Sequence, residues 1–125
     1  MTAIFAETAL LPEGLRSDVR IVLSGDAIER VETGATPGAN DERHRFLLPA
    51  MPNLHSHAFQ RGMAGLAETR GPAQDSFWSW RVAMYRFGLS MTPDHVEAAA
   101  AQLYMEMLEA GFGRVGEFHY LHPDT

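Results

Sequence analysis

The chain has 125 residues, 46% of them hydrophobic, a balance that fits a globular protein rather than a disordered one. Its net charge is −6 with no long acidic or basic block, which argues against a nucleic-acid groove. There is no cysteine, so disulfides, thiolate nucleophiles and Cys-type zinc sites are excluded together, leaving His, Asp and Glu as the side chains able to ligate a metal.

Met1 to Leu11 carries Glu7 and no positive leader, and no uninterrupted apolar run approaches membrane-spanning length. A soluble, cytoplasmic protein without a membrane partner is the expectation. Ala3 to Leu11 reads as a strand. In the next, Val19, Ile21 and Leu23 alternate with Arg20, Val22 and Ser24, and a Ser24-Gly25-Asp26 turn leads to a third over Ala27 to Glu32. Thr33 to Asp41 collects Gly34, Pro37, Gly38 and Asn40 and predicts a surface loop. Arg45 to Leu48 resumes an extended apolar run, predicted as a buried strand entering the next unit through Pro49-Ala50-Met51-Pro52.

Beyond Pro52 the pattern becomes helical. Asp75 or Ser76 can cap a helix whose apolar stripe is Phe77, Trp80, Met84 and Phe87, with Arg81 and Arg86 outside it. A second helix starts with Thr92 as N-cap and Pro93 at the first position. Val96, Ala100, Leu103, Met107 and Ala110 form its apolar face, and Gly111 can end it in a left-handed conformation. Gly113 to Tyr120 follows as a strand. The order of strands, helices and strand predicts an α/β protein with a parallel βα arrangement behind a smaller β-unit.

The sharpest chemical feature is Asn53-Leu54-His55-Ser56-His57 at the end of a predicted strand. Residues i and i+2 of a strand project to one side, so His55 and His57 can offer two imidazole nitrogens to one ion. A Zn2+ held by neutral imidazoles lowers the pKa of bound water to about 7. A bare His-x-His also occurs as two surface histidines, and the other candidates have equally plain readings. Arg81 suits a solvated helix face, Gln60 a helix start and Tyr120 a packed strand. His119 suits packing or outer-shell bonding, His44, His95 and His122 suit solvated positions, and Trp78, Trp80 and the methionines suit the core.

The run from Pro49 to His57 resembles the first-strand metal motif of the amidohydrolase superfamily. Its continuation from Ala58 through Glu68, with Asp75-Ser76-Phe77-Trp78-Ser79-Trp80-Arg81 and Glu117-Phe118-His119-Tyr120, is similar to the formimidoylglutamate deiminases. The likeness is weak over residues 1–48 and strong from Pro49 onward. It implies a (β/α)8 barrel with a flanking β-sandwich: residues 1–48 would be strands of the sandwich and 49–125 the first βα units of an incomplete barrel. It also implies hydrolysis of N-formimino-L-glutamate to N-formyl-L-glutamate and ammonia by a metal-activated water, a step in histidine degradation.

By the same resemblance His55 and His57 are ligands of one divalent metal, Zn2+ ahead of Fe2+, and Gln60, Arg81 and Tyr120 contact the small-molecule substrate. A homodimer is compatible with the full-length form. The alternatives are another amidohydrolase deaminase, such as one acting on a heterocycle, or a non-catalytic truncated product or small binding module.

A (β/α)8 barrel takes roughly 200 to 250 residues, and a catalytic zinc site generally has three protein ligands. The acid and base residues and the further ligands are therefore not expected within these residues. The isolated chain is expected to aggregate and to release no ammonia from N-formimino-L-glutamate. A soluble monomer with a sharp two-state melt, or metal-dependent ammonia release, would contradict this.

Overall fold

The computed structural model describes residues 2–66, 76–119 and 121. They fall into two compact units, Met1–Pro49 and Ala50–Thr125. The first holds β1 (Thr2–Leu11), β2 (Gly14–Ser24), β3 (Ala27–Glu32) and β4 (Glu42–Leu47) in one sheet of order β3-β2-β1-β4. β1 and β2, and β2 and β3, pair antiparallel, whereas β4 runs parallel to β1.

The apolar alternation in β2 is looser than its sequence suggests. Val19 and Val22 are its fully buried residues, one opposite Ala6 and the other opposite Ala3, so the two faces of the β1–β2 pair each bury a valine. Ala6, Ala9 and Val19 form the core cluster, with Leu11, Ile21 and Leu47 packed against it. The loop after β3 is tied down at its end. Asp41 accepts two hydrogen bonds from the Arg20 guanidinium, at 2.7 and 3.0 Å, and a third from the Gly38 N–H at 2.7 Å.

Arg45 to Leu48 departs from expectation. β4 starts earlier, belongs to this first sheet, and leaves Phe46 67% and Leu48 64% exposed, because edge position beside β1 covers it from one side only. His44, expected in a solvated loop, lies in β4 and pairs with Glu42 at 2.8 Å.

The second unit comprises β5 (Met51–Ser56), a 3-10 helix (Ala58–Met63), α1 (Phe77–Gly88), α2 (Pro93–Glu109) and β6 (Phe112–Glu117). β5 and β6 pair in parallel, Met51 opposite Phe112 and Ser56 opposite Glu117. The predicted helix starts hold. Ser76 caps α1 by accepting from the Ser79 N–H, and Thr92 caps α2 by accepting from the His95 N–H, with Pro93 at the first turn. Asp75, the other cap candidate, lies outside the described residues. Gly111, at φ +87°, ends α2 in the left-handed region.

Phe59, Met63 and Met84 form the buried cluster of this unit, with Trp80, Phe87, Met91 and Leu121 against it. Three buried apolar side chains contribute about 1.5–3 kcal/mol each, so this cluster dominates the attachment of the 3-10 helix to α1. Gly62 permits the approach, since a Cβ there would stand 2.8 Å from Phe87 Cζ. Two expected core residues stay outside. Phe77 is 62% and Trp78 67% exposed, because they occupy the first turn of α1, before the helix meets the cluster at Trp80. No residue of α2 is fully buried; Val96, Ala100, Leu103 and Met107 are half-buried and Ala110 is exposed. Among the described residues, no helix is long and apolar enough to cross a membrane.

A charged clamp joins the 3-10 helix to α2. Arg61 binds Glu106 bidentately at 2.6 and 2.7 Å, and Gln102 donates to the same carboxylate at 2.8 Å. The Arg61 bonds, followed by that of Gln102, hold the Glu106 carboxyl down at about 2, against an ordinary 4.5. A folded-state pKa below the unfolded value means that the unfolded chain takes up protons first as pH falls. The clamp's stabilisation is therefore present above pH 4.5 and disappears toward pH 2. Glu106→Gln is expected to lower the melting temperature at pH 7, where the clamp is intact, and to change it little near pH 2, so that the acid limb of a plot of melting temperature against pH flattens; parallel curves for the two proteins would contradict this.

Candidate metal centre

β5 carries His55 within the strand and ends at Ser56, so His57 leaves the extended ladder as the N-cap residue of the 3-10 helix, with φ −132° and ψ 84°. The two imidazoles nevertheless converge. His55 Nε2 and His57 Nε2 are 3.0 Å apart, and the rings stand edge to face at 89° with centroids 4.8 Å apart. With zinc–nitrogen bonds of roughly 2.0 to 2.1 Å, two ligands at a tetrahedral angle lie about 3.3 Å apart, so the pair needs only a small opening to share one ion. The Asn53 side-chain oxygen accepts from the His55 N–H at 3.1 Å, and the Asn53 amide reaches Met107 Sδ on α2 at 3.8 Å.

The other ring nitrogen of His57 faces the carbonyl oxygen of Phe118 at 3.0 Å. A carbonyl can only accept, so Nδ1 carries the proton and Nε2 presents its lone pair. This carbonyl–histidine arrangement is the one that orients metal-bound imidazoles. The same segment holds the neighbouring backbone, with the Phe118 N–H donating to the Ser56 carbonyl at 3.0 Å. Among the described residues, no group of three or more His, Cys, Asp or Glu side chains is placed to hold an ion, and the donors that converge there are the imidazole pair.

Glu117 lies opposite Ser56, the residue between the two histidines, and was not legible as a site residue in the sequence. Its side chain is 10% exposed, accepts the Ala58 N–H at 2.6 Å, and stands 3.8 Å from His119 Nδ1. Burial acts to raise its pKa, but the Ser56 hydroxyl, the Ala58 N–H, His119 and Tyr104 together outweigh it and hold the carboxyl below the usual range. The Ala58 bond is the well-formed member of this set. Ser56 Oγ and Glu117 Oε2 are buried without an aligned partner, so the hydroxyl acts on the charge at short range rather than through a full hydrogen bond.

The remaining sequence candidates are dispersed. Gln60 follows His57 by one turn of the 3-10 helix, is half-buried, and points its amide at Met84 Sδ, 3.4 Å away. Arg81, on α1, is half-buried. Its guanidinium carbon lies 5.7 Å from the Trp78 ring centroid and 5.2 Å from that of Tyr85, and Nη2 donates to the Tyr85 hydroxyl at 3.2 Å. Tyr120 and His122 lie outside the described residues. His119 is exposed beyond the end of β6, and His95, expected to be merely solvated, accepts the Thr92 N–H and completes the cap of α2.

Comparison with known proteins finds the family match on the very segment where the sequence likeness reads as weak. Residues 1–45 match the family described as formimidoylglutamate deiminase HutF, N-terminal domain. The chain is 51% identical over 125 residues to a formimidoylglutamate deiminase of Pseudomonas aeruginosa, covering 99% of this chain and 28% of that protein. An amidohydrolase from Brucella melitensis superposes with a TM-score of 0.92 at 59% identity, over 99% of this chain and 28% of the other. Atrazine chlorohydrolase from Arthrobacter aurescens, solved with zinc, shares the fold with a TM-score of 0.71 at 19% identity, over 92% and 28% of the two chains.

By fold and sequence the chain is similar to the opening part of amidohydrolases. Its sequence likeness is to a formimidoylglutamate deiminase, of which it spans 28% of the length.

The tautomer argument can be checked directly. In metal-free protein, long-range proton–nitrogen NMR is expected to show His57 protonated at Nδ1 and His55 donating from Nε2. A His57 that carries its proton on Nε2 would contradict the Phe118 bond.

Proposed function

We propose that this chain furnishes the first two metal ligands and part of the substrate pocket of an enzyme that hydrolyses N-formimino-L-glutamate to N-formyl-L-glutamate and ammonia, in histidine degradation. The observation that carries the reading is the 3.0 Å approach of His55 Nε2 and His57 Nε2 at the carboxyl end of a parallel strand, with His57 Nδ1 held by the Phe118 carbonyl. The 51% identity to the Pseudomonas deiminase supports the substrate assignment. Residues 1–48 are read as strands of a flanking β-sandwich and 49–125 as the opening βα units of a (β/α)8 barrel. The parallel β5–β6 pair and its intervening helices support the second assignment.

His55 and His57 would hold one divalent ion, Zn2+ in preference to Fe2+, and the zinc in the Arthrobacter hydrolase supports that choice. Such an ion supplies a water acidified to a pKa of about 7. The chain's own residues do the rest of what is assigned to it. Phe118 orients the His57 imidazole, and Asn53 fixes the backbone of His55. Arg81, Gln60 and Tyr120 bind the substrate, the guanidinium of Arg81 being suited to a bidentate grip on one of its two carboxylates. Water-soluble substrate and absence of cysteine support a cytoplasmic setting.

In the full-length protein that carries this chain, His55→Ala and His57→Ala are each expected to lose bound metal and ammonia release together. Arg81→Lys should cost about 10- to 100-fold in kcat/KM, since a charge-assisted hydrogen bond is worth about 1.5–3 kcal/mol. Unchanged metal content and activity in both histidine variants would overturn the reading.

A further inference from the structure

We propose that Glu117 is a positioning residue for the metal-binding histidines: its buried carboxylate, at the end of β6, caps the 3-10 helix that begins at Ala58 and so fixes where the His57 ring points. The inference rests on the reading of His55 and His57 as metal ligands.

The first residues of any helix have N–H groups with no acceptor inside it, and a side chain at the N-cap usually supplies one. Here the N-cap residue is His57, which makes no capping hydrogen bond, its Nδ1 being engaged with Phe118. The Ala58 N–H is instead taken by Glu117 at 2.6 Å, a short charge-assisted bond supplied by a residue 59 positions away. Ser56, which precedes His57, is held by the Phe118 N–H, and the His57 ring by the Phe118 carbonyl. Residues 117 and 118 thus grip positions 56, 57 and 58 in succession. The backbone on both sides of the ligand, and the ligand's own ring, are referred to one point on the neighbouring strand. The carboxylate is nine-tenths buried, and among the described residues its closest ion-pair approach is that of His119 Nδ1, 3.8 Å away.

The test compares metal affinity, by chelator competition in the folded full-length protein, across three variants. Glu117→Met keeps the side-chain volume and removes the acceptor; it should bind metal about 10- to 100-fold more weakly, the loss typical of outer-shell partners. Glu117→Gln keeps an oxygen for the Ala58 N–H and should lose less than about 10-fold. His57→Ala sets the scale of complete ligand loss. A merely structural role would lower the melting temperature of Glu117→Met and leave its metal affinity at the parent value, which would overturn the proposal. So would a Glu117→Gln loss as large as that of His57→Ala, a comparison that stands even where Glu117→Met does not fold. A parent protein whose metal content is indifferent to His57→Ala would instead overturn the ligand assignment itself.

Discussion

Parallel pairing of β5 with β6 governs the second unit, because parallel strands cannot be joined by a tight turn and the chain must return the full length of the strand before the second can start. It returns through the 3-10 helix, α1 and α2. Both strands then finish on the same side, with Ser56 opposite Glu117. Groups adjacent to those ends meet without any local sequence relationship. This is why a carbonyl at Phe118 can orient a ring at His57, and why the carboxyl ends of parallel strands are the usual place for assembled chemistry in α/β proteins.

The forces holding this arrangement divide by kind. Phe59, Met63 and Met84 supply attraction that is strong and undirected, fixing that the 3-10 helix lies against α1 without fixing its rotation. Rotation is set by directed contacts. Arg61 with Glu106 ties the same short helix to α2, and Glu117 with Ala58 ties its first residue to β6. Side chains of the Arg61 pair are 38% and 34% exposed, so solvent screens much of their attraction and their value lies in register more than in stability. Asn53 adds a contact of the same sort, with one end on the His55 backbone and the other on Met107.

What could be read from the sequence was local. Thr92-Pro93, Gly111 and Ser76 act through neighbours within three or four residues, and the structure uses them as helix boundaries. His-x-His was legible for the same reason, as a spacing of two, although the strand ends between the two histidines and leaves the turn at His57 to complete the convergence. The contacts that could not be read join distant positions: Arg61 to Glu106 across 45 residues, Ala58 to Glu117 across 59. Glu117 looked like one side of an alternating strand, and nothing near it in sequence marks it as buried. β4 failed differently. An apolar run such as Phe46-Leu47-Leu48 signals burial only if both faces are covered, and the residue pattern cannot say which sheet the strand will join.

Arg81 shows how a helix can hold one of its own cations in place. Trp78 and Tyr85 lie one turn before and after it, and their rings lie within 6 Å of the guanidinium, a range in which cation–π attraction operates. Contact of that kind uses the flat face of the guanidinium and leaves its in-plane N–H groups as the directional ones. One of these meets the Tyr85 hydroxyl, which can accept and still donate its own proton onward. The aromatic pair therefore restrains a side chain with much rotamer entropy to lose, and in the proposed substrate-binding role that restraint would lower the cost of gripping a carboxylate. A lysine at this position would keep the charge but lose the planar, multi-donor group that lies within reach of both rings and the Tyr85 hydroxyl.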